Sequence, residues 1–370
     1  MRKEDGTMRE DSHGGDIYSQ PVRLDFSVNV NPMGIPEGVV RAAADSISRC
    51  ASYPDSRCLA LSRALAEKKS VREARIVWGN GAADLIFGLA LALKPKGALT
   101  AAPTFSEYGH ALRAAGCETD EFFLPPKEGF ALTKEGFEQA LKGQIAAGRK
   151  PELVFLCNPN NPTGRAVSRG QMEEIARMCL KEQIYLAVDQ CFEDFLEEPE
   201  KVSLTPVLDQ FPNLVILGAF TKIYAMAGLR LGYALCGDEK VAAALKKVRQ
   251  PWSVSTVAQE AGLAALKEED YRRQAGRQAA RGRSQLKEGL EKLGFQVYPS
   301  DVNFLLFRAP ESWEGERLKR ELLKRGILIR GCGNFKGLDP SFYRVCVRLP
   351  QENEVLLKAI REIVEEGSKT

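Results

Sequence analysis

Short apolar runs that stop at turn-forming residues alternate with stretches of helical spacing through the middle of the chain. Ala74-Arg-Ile-Val-Trp78 leads through a glycine turn into the helix-like Ala82 to Leu93. Gly97 to Ala102 runs into Pro103, and Thr104 to Ala114 again has helical spacing. Leu153-Val-Phe-Leu-Cys157 ends in an Asn/Pro turn before a helical stretch from Gln171 to Lys181, and Ile184-Tyr-Leu-Ala-Val188 and Leu214-Val-Ile-Leu217 follow. Strands this apolar have no face to turn to water. The pattern predicts an α/β fold: a three-layer α/β/α large domain whose mostly parallel sheet is covered by helices on both sides.

From about Val254 the texture changes. A long charged helical stretch, Lys267 to Leu293, precedes strands at Phe295 to Tyr298 and Asn303 to Phe307. A helix from Glu314 to Arg325, strands near Ile327 and Tyr343, and a terminal helix from Glu352 complete a smaller α+β domain. The expected division is a large domain over residues 45–255, a small domain over 21–44 and 256–370, and an N-terminal arm over 1–20. The arm is charged and glycine-bearing, and is expected to be loosely ordered.

Bulk properties narrow the partners. Apolar residues make up 44% of the 370 and charged residues 27%, with a formal net charge of only +3 and no long block of one sign. Neither nucleic acid nor a membrane surface is implied. No window approaches the ~18 apolar residues of a membrane span, and the charged Met1 to Glu10 is no secretory signal. Nine scattered cysteines, an odd number without metal-ligand spacing, fit free thiols in a reducing cytoplasm. With His13 and His110 as the only histidines, no metal site is expected.

The candidate chemistry lies just after the strands, where open α/β sheets bind ligands. Lys222 stands in Ala219-Phe-Thr-Lys-Ile-Tyr-Ala-Met-Ala-Gly-Leu-Arg230, among small and apolar residues that make an amine easier to deprotonate and a better nucleophile toward an aldehyde. Thr221 and Arg230 can hold a phosphate beside it. An aldehyde carrying a phosphate suggests pyridoxal 5'-phosphate, though a buried structural lysine reads the same in isolation. Gly81, Ala82 and Ala83 open a helix after a strand, so their backbone N–H groups can also meet a phosphate. Asp189, at a strand end, can keep a ring nitrogen protonated. Asn158-Pro-Asn-Asn-Pro-Thr-Gly164 forms a rigid turn from which Asn161 can offer its amide to the cofactor's phenolic oxygen. In Tyr343-Arg-Val-Cys-Val-Arg348, strand alternation puts Arg344 and Arg348 on one face. With Arg330 on a neighbouring strand, they can grip two anionic groups of one substrate.

Together these motifs resemble the fold-type I, pyridoxal-phosphate-dependent aminotransferase superfamily over nearly the whole chain. The resemblance implies that Lys222 forms the imine with the cofactor, that Asp189 binds its pyridinium and Asn161 its phenolic oxygen, and that Phe105 stacks on its ring. It gives the phosphate to Gly81, Ala82, Ala83, Thr221 and Arg230, and the substrate carboxylate to Arg344. It places Asn31 with Arg330, Arg344 and Arg348 in the substrate-binding set. Tyr53, in Ser52-Tyr-Pro-Asp55, matches a tyrosine that reaches the phosphate of the other subunit, which implies a homodimer with shared active sites.

Within the superfamily two groups compete. Histidinol-phosphate aminotransferases share most of the frame. Five strings look more like the L-threonine-O-3-phosphate decarboxylases of cobalamin side-chain synthesis: His13 to Gly15, Asp25 to Gly34, Pro103 to Tyr108, Gln250 to Val254, and Ile329 to Phe335. Arg348 fits the same group. The expected activity is therefore decarboxylation of a small phosphorylated amino acid, L-threonine O-3-phosphate, to 1-aminopropan-2-ol phosphate. The alternative is transamination of histidinol phosphate or a related substrate. Phe192 and Gln190 depart from the aminotransferase pattern, in which tyrosine and glutamate are usual.

Overall fold

Five strands of the large sheet run parallel because the segments between them, mostly α-helices and in one case short 3-10 turns over 193–210, return the chain to the same edge. The computed structural model describes residues 13–310, 313 and 315–367. Strand β1 (Leu24–Asp25) stands apart from that sheet. The sheet itself comprises β2 (Ile76–Asn80), β3 (Gly97–Ala102), β4 (Glu118–Phe123), β5 (Leu153–Cys157), β6 (Tyr185–Asp189), β7 (Leu214–Ala219) and β8 (Leu231–Cys236), in the order β2-β8-β7-β6-β5-β3-β4. Strands β4, β3, β5, β6 and β7 are mutually parallel, and β8 is antiparallel to both of its neighbours.

Alternate residues of one strand serve two cores. Val154 and Leu156 of β5 face one apolar cluster, and Leu153, Phe155 and Cys157 face the other. Each face of the sheet is covered, which is why these runs carry no polar alternate position. Two strands escape the apolar pattern for opposite reasons. β4 is the half-exposed edge and carries Glu118, Asp120 and Glu121. β8 is fully buried but follows Arg230 without a turn residue to mark its start.

The smaller domain holds β9 (Gln296–Val297), β10 (Phe304–Arg308), β11 (Ile327–Leu328), β12 (Arg330–Gly331) and β13 (Phe342–Cys346). An antiparallel sheet runs β12-β13-β10-β9, while β1 pairs in parallel with β11. Phe307, Tyr343, Leu356 and Ile360 lie in its core. The long helix Glu269–Lys292 contributes Leu286 and Leu290 to that core, and Ala275 and Ala279 to the large one.

The expected α/β fold with a second, smaller domain is observed. The large sheet is mixed, through β8, rather than wholly parallel. The helix expected from Glu314 spans Arg317–Lys324, and Glu314 itself lies outside the described residues. So does residues 1–12 of the expected arm. No described helix is long and apolar enough to cross a membrane, and all nine cysteines are unpaired.

Candidate active site

Because β2, β3, β5, β6 and β7 share one direction, their carboxyl ends converge on one edge of the sheet. Ala82 and Ala83, Phe105, Asn161, Asp189 and Lys222 follow or end those strands, and all line one cavity of about 240 Å³. β8 runs the opposite way, so its start rather than its end lies at that edge. Asn80 is the register partner of Leu231, which brings the preceding Arg230 beside Gly81. Arg330 and Arg344 enter from the small domain and line the same cavity.

Asp189 is buried and held at both oxygens. The Tyr108 hydroxyl donates to Oδ2 at 2.8 Å, and the Cys191 backbone N–H donates to Oδ1 at 2.9 Å. Burial, followed by the Asp189 charge, pushes the Tyr108 phenol well above its ordinary value, so it remains a donor. The Lys222 amine makes no ion pair among the described residues and lies 5.9 Å from the centre of the Phe192 ring. Burial holds it below the ordinary lysine range, and the positive charges of Arg344 and Arg230 add to the effect. It is thus the group best placed to act as a neutral nucleophile.

Arg344 is buried, and its Nη2 donates to the Ser27 carbonyl at 2.7 Å while its Nη1 donates to Asn161 Oδ1. With its oxygen engaged, the Asn161 amide has its N–H donors left for another partner. The Arg344 Nε is buried without an acceptor. Arg330 is the register partner of Arg344 on the adjacent strand. Residues directly opposite in an antiparallel pair share a face, and like charges there repel. Two buried guanidinium groups side by side are a cradle for anions.

Gly81 carries the phosphate argument. Its φ is +76°, and a Cβ at that position would lie 2.6 Å from Arg230 Nη2. Any other residue would be strained at that φ and would push the Arg230 guanidinium aside. Arg230 itself sits at φ 57°, a region that L residues rarely occupy and that is concentrated at functional sites. A helix start, a hydroxyl at Thr221 and an arginine without a carboxylate partner among the described residues could together hold a phosphate.

The family model described as aminotransferase class I and II matches residues 22–360. The chain belongs to that family. Its members use pyridoxal 5'-phosphate. The threonine-phosphate decarboxylase of Salmonella typhimurium is 36% identical over 362 residues, 95% of this chain and 96% of that protein. The histidinol-phosphate aminotransferase of Desulfitobacterium hafniense is 35% identical over 348 residues, 93% and 92% of the two chains. The crystal structure of the histidinol-phosphate aminotransferase from Clostridium acetobutylicum superposes with a TM-score of 0.84 at 29% identity, covering 93% of this chain and 99% of that one.

The residues of this class I and II aminotransferase chain fit the cofactor: an unpaired amine, a firmly held carboxylate, an amide with free donors and a phosphate cradle converge. Four expected residues do not line the cavity: Gly81, which lies behind it against Arg230, and Asn31, Arg348 and Tyr53. The Asn31 amide donates to the Ile223 carbonyl at 2.8 Å and to the Tyr271 hydroxyl at 3.0 Å, bracing the loop after Lys222. Asn29 lines the cavity instead, with its Oδ1 buried and unpartnered. Arg348 lies beyond β13, which ends at Cys346, so strand alternation no longer sets its direction. It donates to the Asp25 carbonyl at 3.0 Å and pairs with Glu352 at 2.8 Å. Tyr53 is 79% exposed, outside the cavity, and stacks on Trp252 at 4.4 Å between ring centres.

Tyr108 and His13 also line the cavity. Both stood in strings used for the resemblance, but no spacing argument marks a role for either. His13 reaches the site from far along the chain, 3.0 Å from Glu107.

Proposed function

We propose that the protein decarboxylates L-threonine O-3-phosphate to 1-aminopropan-2-ol phosphate, with pyridoxal 5'-phosphate as cofactor. The observation that carries this is the pairing of Arg330 with Arg344 across β12 and β13, inside the cavity that holds Lys222. Two adjacent buried cations suit a substrate with two anionic groups, a carboxylate and a phosphate. The similarity to a threonine-phosphate decarboxylase supports the same reading.

The bound cofactor supplies an electron sink for the bond broken at the substrate's Cα. Lys222, whose burial disfavours its charged form, would be the nucleophile that holds the cofactor through its aldehyde carbon. Asp189, held by Tyr108 and the Cys191 N–H, would keep the proton on the ring nitrogen. Asn161, its oxygen engaged by Arg344, would donate its N–H to the phenolic oxygen. Arg344 and Arg330 would hold the substrate's two anionic groups, and the orientation they impose on the bonds at Cα would select loss of CO2 over loss of a proton. Lys222, having taken a proton from the substrate's ammonium group, would supply it to Cα in place of the departing CO2. Phe105 and Phe192 wall the site and limit water around the amine.

A histidinol-phosphate aminotransferase is the second reading, favoured by the 35% identity to such an enzyme. A paired assay separates the two. The cofactor-loaded protein is given L-threonine O-3-phosphate alone, with CO2 followed, or histidinol phosphate with 2-oxoglutarate, with glutamate followed. CO2 release without any oxo-acid is the expected result; glutamate formation without CO2 would overturn the proposal. The same reading makes the enzyme a homodimer in which the exposed Tyr53 completes the partner's phosphate site. Light scattering on the purified protein tests it, with a monomeric mass as the refuting outcome.

A further inference from the structure

Ala219 lines a second cavity, of about 490 Å³, roughly twice the volume of the one at Lys222. None of its other lining residues belongs to the site described above. One wall is aromatic. Phe220 stacks on Tyr224 at 5.6 Å between ring centres and meets Tyr233 edge-on at 6.0 Å. Gly218 makes room for this wall, since a Cβ there would run into the Tyr233 ring. Tyr233 is only 9% exposed, and its hydroxyl has no hydrogen-bond partner among the described residues.

Opposite charges line the rest. Lys69 Nζ lies 3.5 Å from Glu193 Oε1, with the two side chains 21% and 9% exposed. Arg272 Nη1 lies 3.9 Å from Asp194 Oδ1, while its Nε, at 2.9 Å, and its Nη2 both donate to Glu269, which also pairs with Lys68 at 3.1 Å. The first two separations exceed the roughly 2.7–2.9 Å of a closed charge-assisted hydrogen bond. Both cations are nonetheless stabilised in their charged forms, Lys69 by Tyr233 and Glu193 and Arg272, against its burial, by Glu269, so they remain charged in the cavity. Burial also pushes the Glu193 carboxyl up. A ligand bearing both signs would satisfy both pairs at once. Its ammonium would go to Glu193 and Asp194, its carboxylate to Lys69 and Arg272, and an apolar side chain to the aromatic wall.

We propose that this cavity is a second, non-catalytic binding site for a free α-amino acid with an apolar side chain. The inference is independent of the reaction catalysed at Lys222. The test is isothermal titration of the holoenzyme with L-valine, L-leucine and L-phenylalanine. 3-Methylbutylamine and 4-methylpentanoate serve as leucine analogues lacking one charge each. At least one amino acid is expected to bind saturably with a Kd below about 10 mM. For leucine, each analogue should bind at least about tenfold more weakly. Lys69→Met and Glu193→Gln should weaken binding about tenfold or more, and Arg344→Ala in the first cavity should leave it unchanged. Tyr233→Phe, which removes one hydroxyl and keeps the ring, covers the case in which a charge variant fails to fold, and should weaken binding severalfold. The proposal is overturned if none of the three amino acids binds. It is equally overturned if binding is lost in Arg344→Ala but retained in the Lys69, Glu193 and Tyr233 variants.

Discussion

Replacing Tyr108 by phenylalanine removes one hydroxyl and little else. The ring keeps its stack on Phe155, 5.1 Å between centres and 5° between planes, and its edge-on contact with Phe105 at 5.7 Å. What disappears is the 2.8 Å hydrogen bond to Asp189 Oδ2, between a fully buried phenol and a carboxylate 5% exposed. A hydrogen bond to a charged group contributes about 1.5–3 kcal/mol, and the upper part of that range applies when the partner is left buried and unsatisfied. In urea unfolding of the cofactor-free protein at pH 7, with a slope of about 3 kcal/mol/M, that loss lowers the midpoint by roughly 0.5–1 M at unchanged slope. The double variant with Asp189→Asn completes a thermodynamic cycle, in which a coupling of about 1–3 kcal/mol is expected. A midpoint within about 0.2 M of wild type, together with additive single and double variants, would show that the hydroxyl does not hold Asp189.

Other substitutions probe the remaining parts of the site. Gly81→Ala forces a Cβ to 2.6 Å from Arg230 Nη2 at a positive φ, and should weaken pyridoxal 5'-phosphate binding by at least about tenfold, or ~1.4 kcal/mol, in an absorbance titration; unchanged affinity would contradict the cradle. Lys222→Met tests the depressed amine. The folded state binds fewer protons than the unfolded one between the lowered value and the ordinary lysine pKa of about 10.4, so wild-type stability rises with pH across that window. The cofactor-free variant should therefore exceed wild type most at neutral pH, with the gap narrowing as pH rises toward that value; a gap independent of pH counts against the shift. Arg348→Ala should cost about 1 kcal/mol of stability through the lost Asp25 and Glu352 contacts, yet leave kcat/KM within about threefold. A loss of a hundredfold or more, about 2.7 kcal/mol, would restore Arg348 to the substrate site.

Much of this protein is legible from one chain because its chemistry is local. A buried strand, a turn and a cavity-lining residue are contiguous in sequence at Leu153 to Asn161, at Ile184 to Asp189 and at Leu214 to Lys222, so apolar runs locate both the sheet and the residues at its edge. Lys222, Asp189 and Asn161 meet because parallel strands deliver their carboxyl ends to one place, a consequence of fold class alone. What tertiary structure decided lies where that locality fails. Asn29 and Asn31 share a strand-like parity, yet one lines the cavity and the other braces the loop at Ile223, a choice made by what packs above them. Arg344 and Arg348 also share a parity, but β13 stops at Cys346 and Glu352 draws Arg348 away. Tyr108 reaches Asp189 across 81 positions of chain, and β8 brings Arg230 to Gly81 only because it runs against the rest of the sheet. Periodicity specifies which way a side chain points from its own backbone; which partner waits there depends on strand order, strand direction and the point where each element ends.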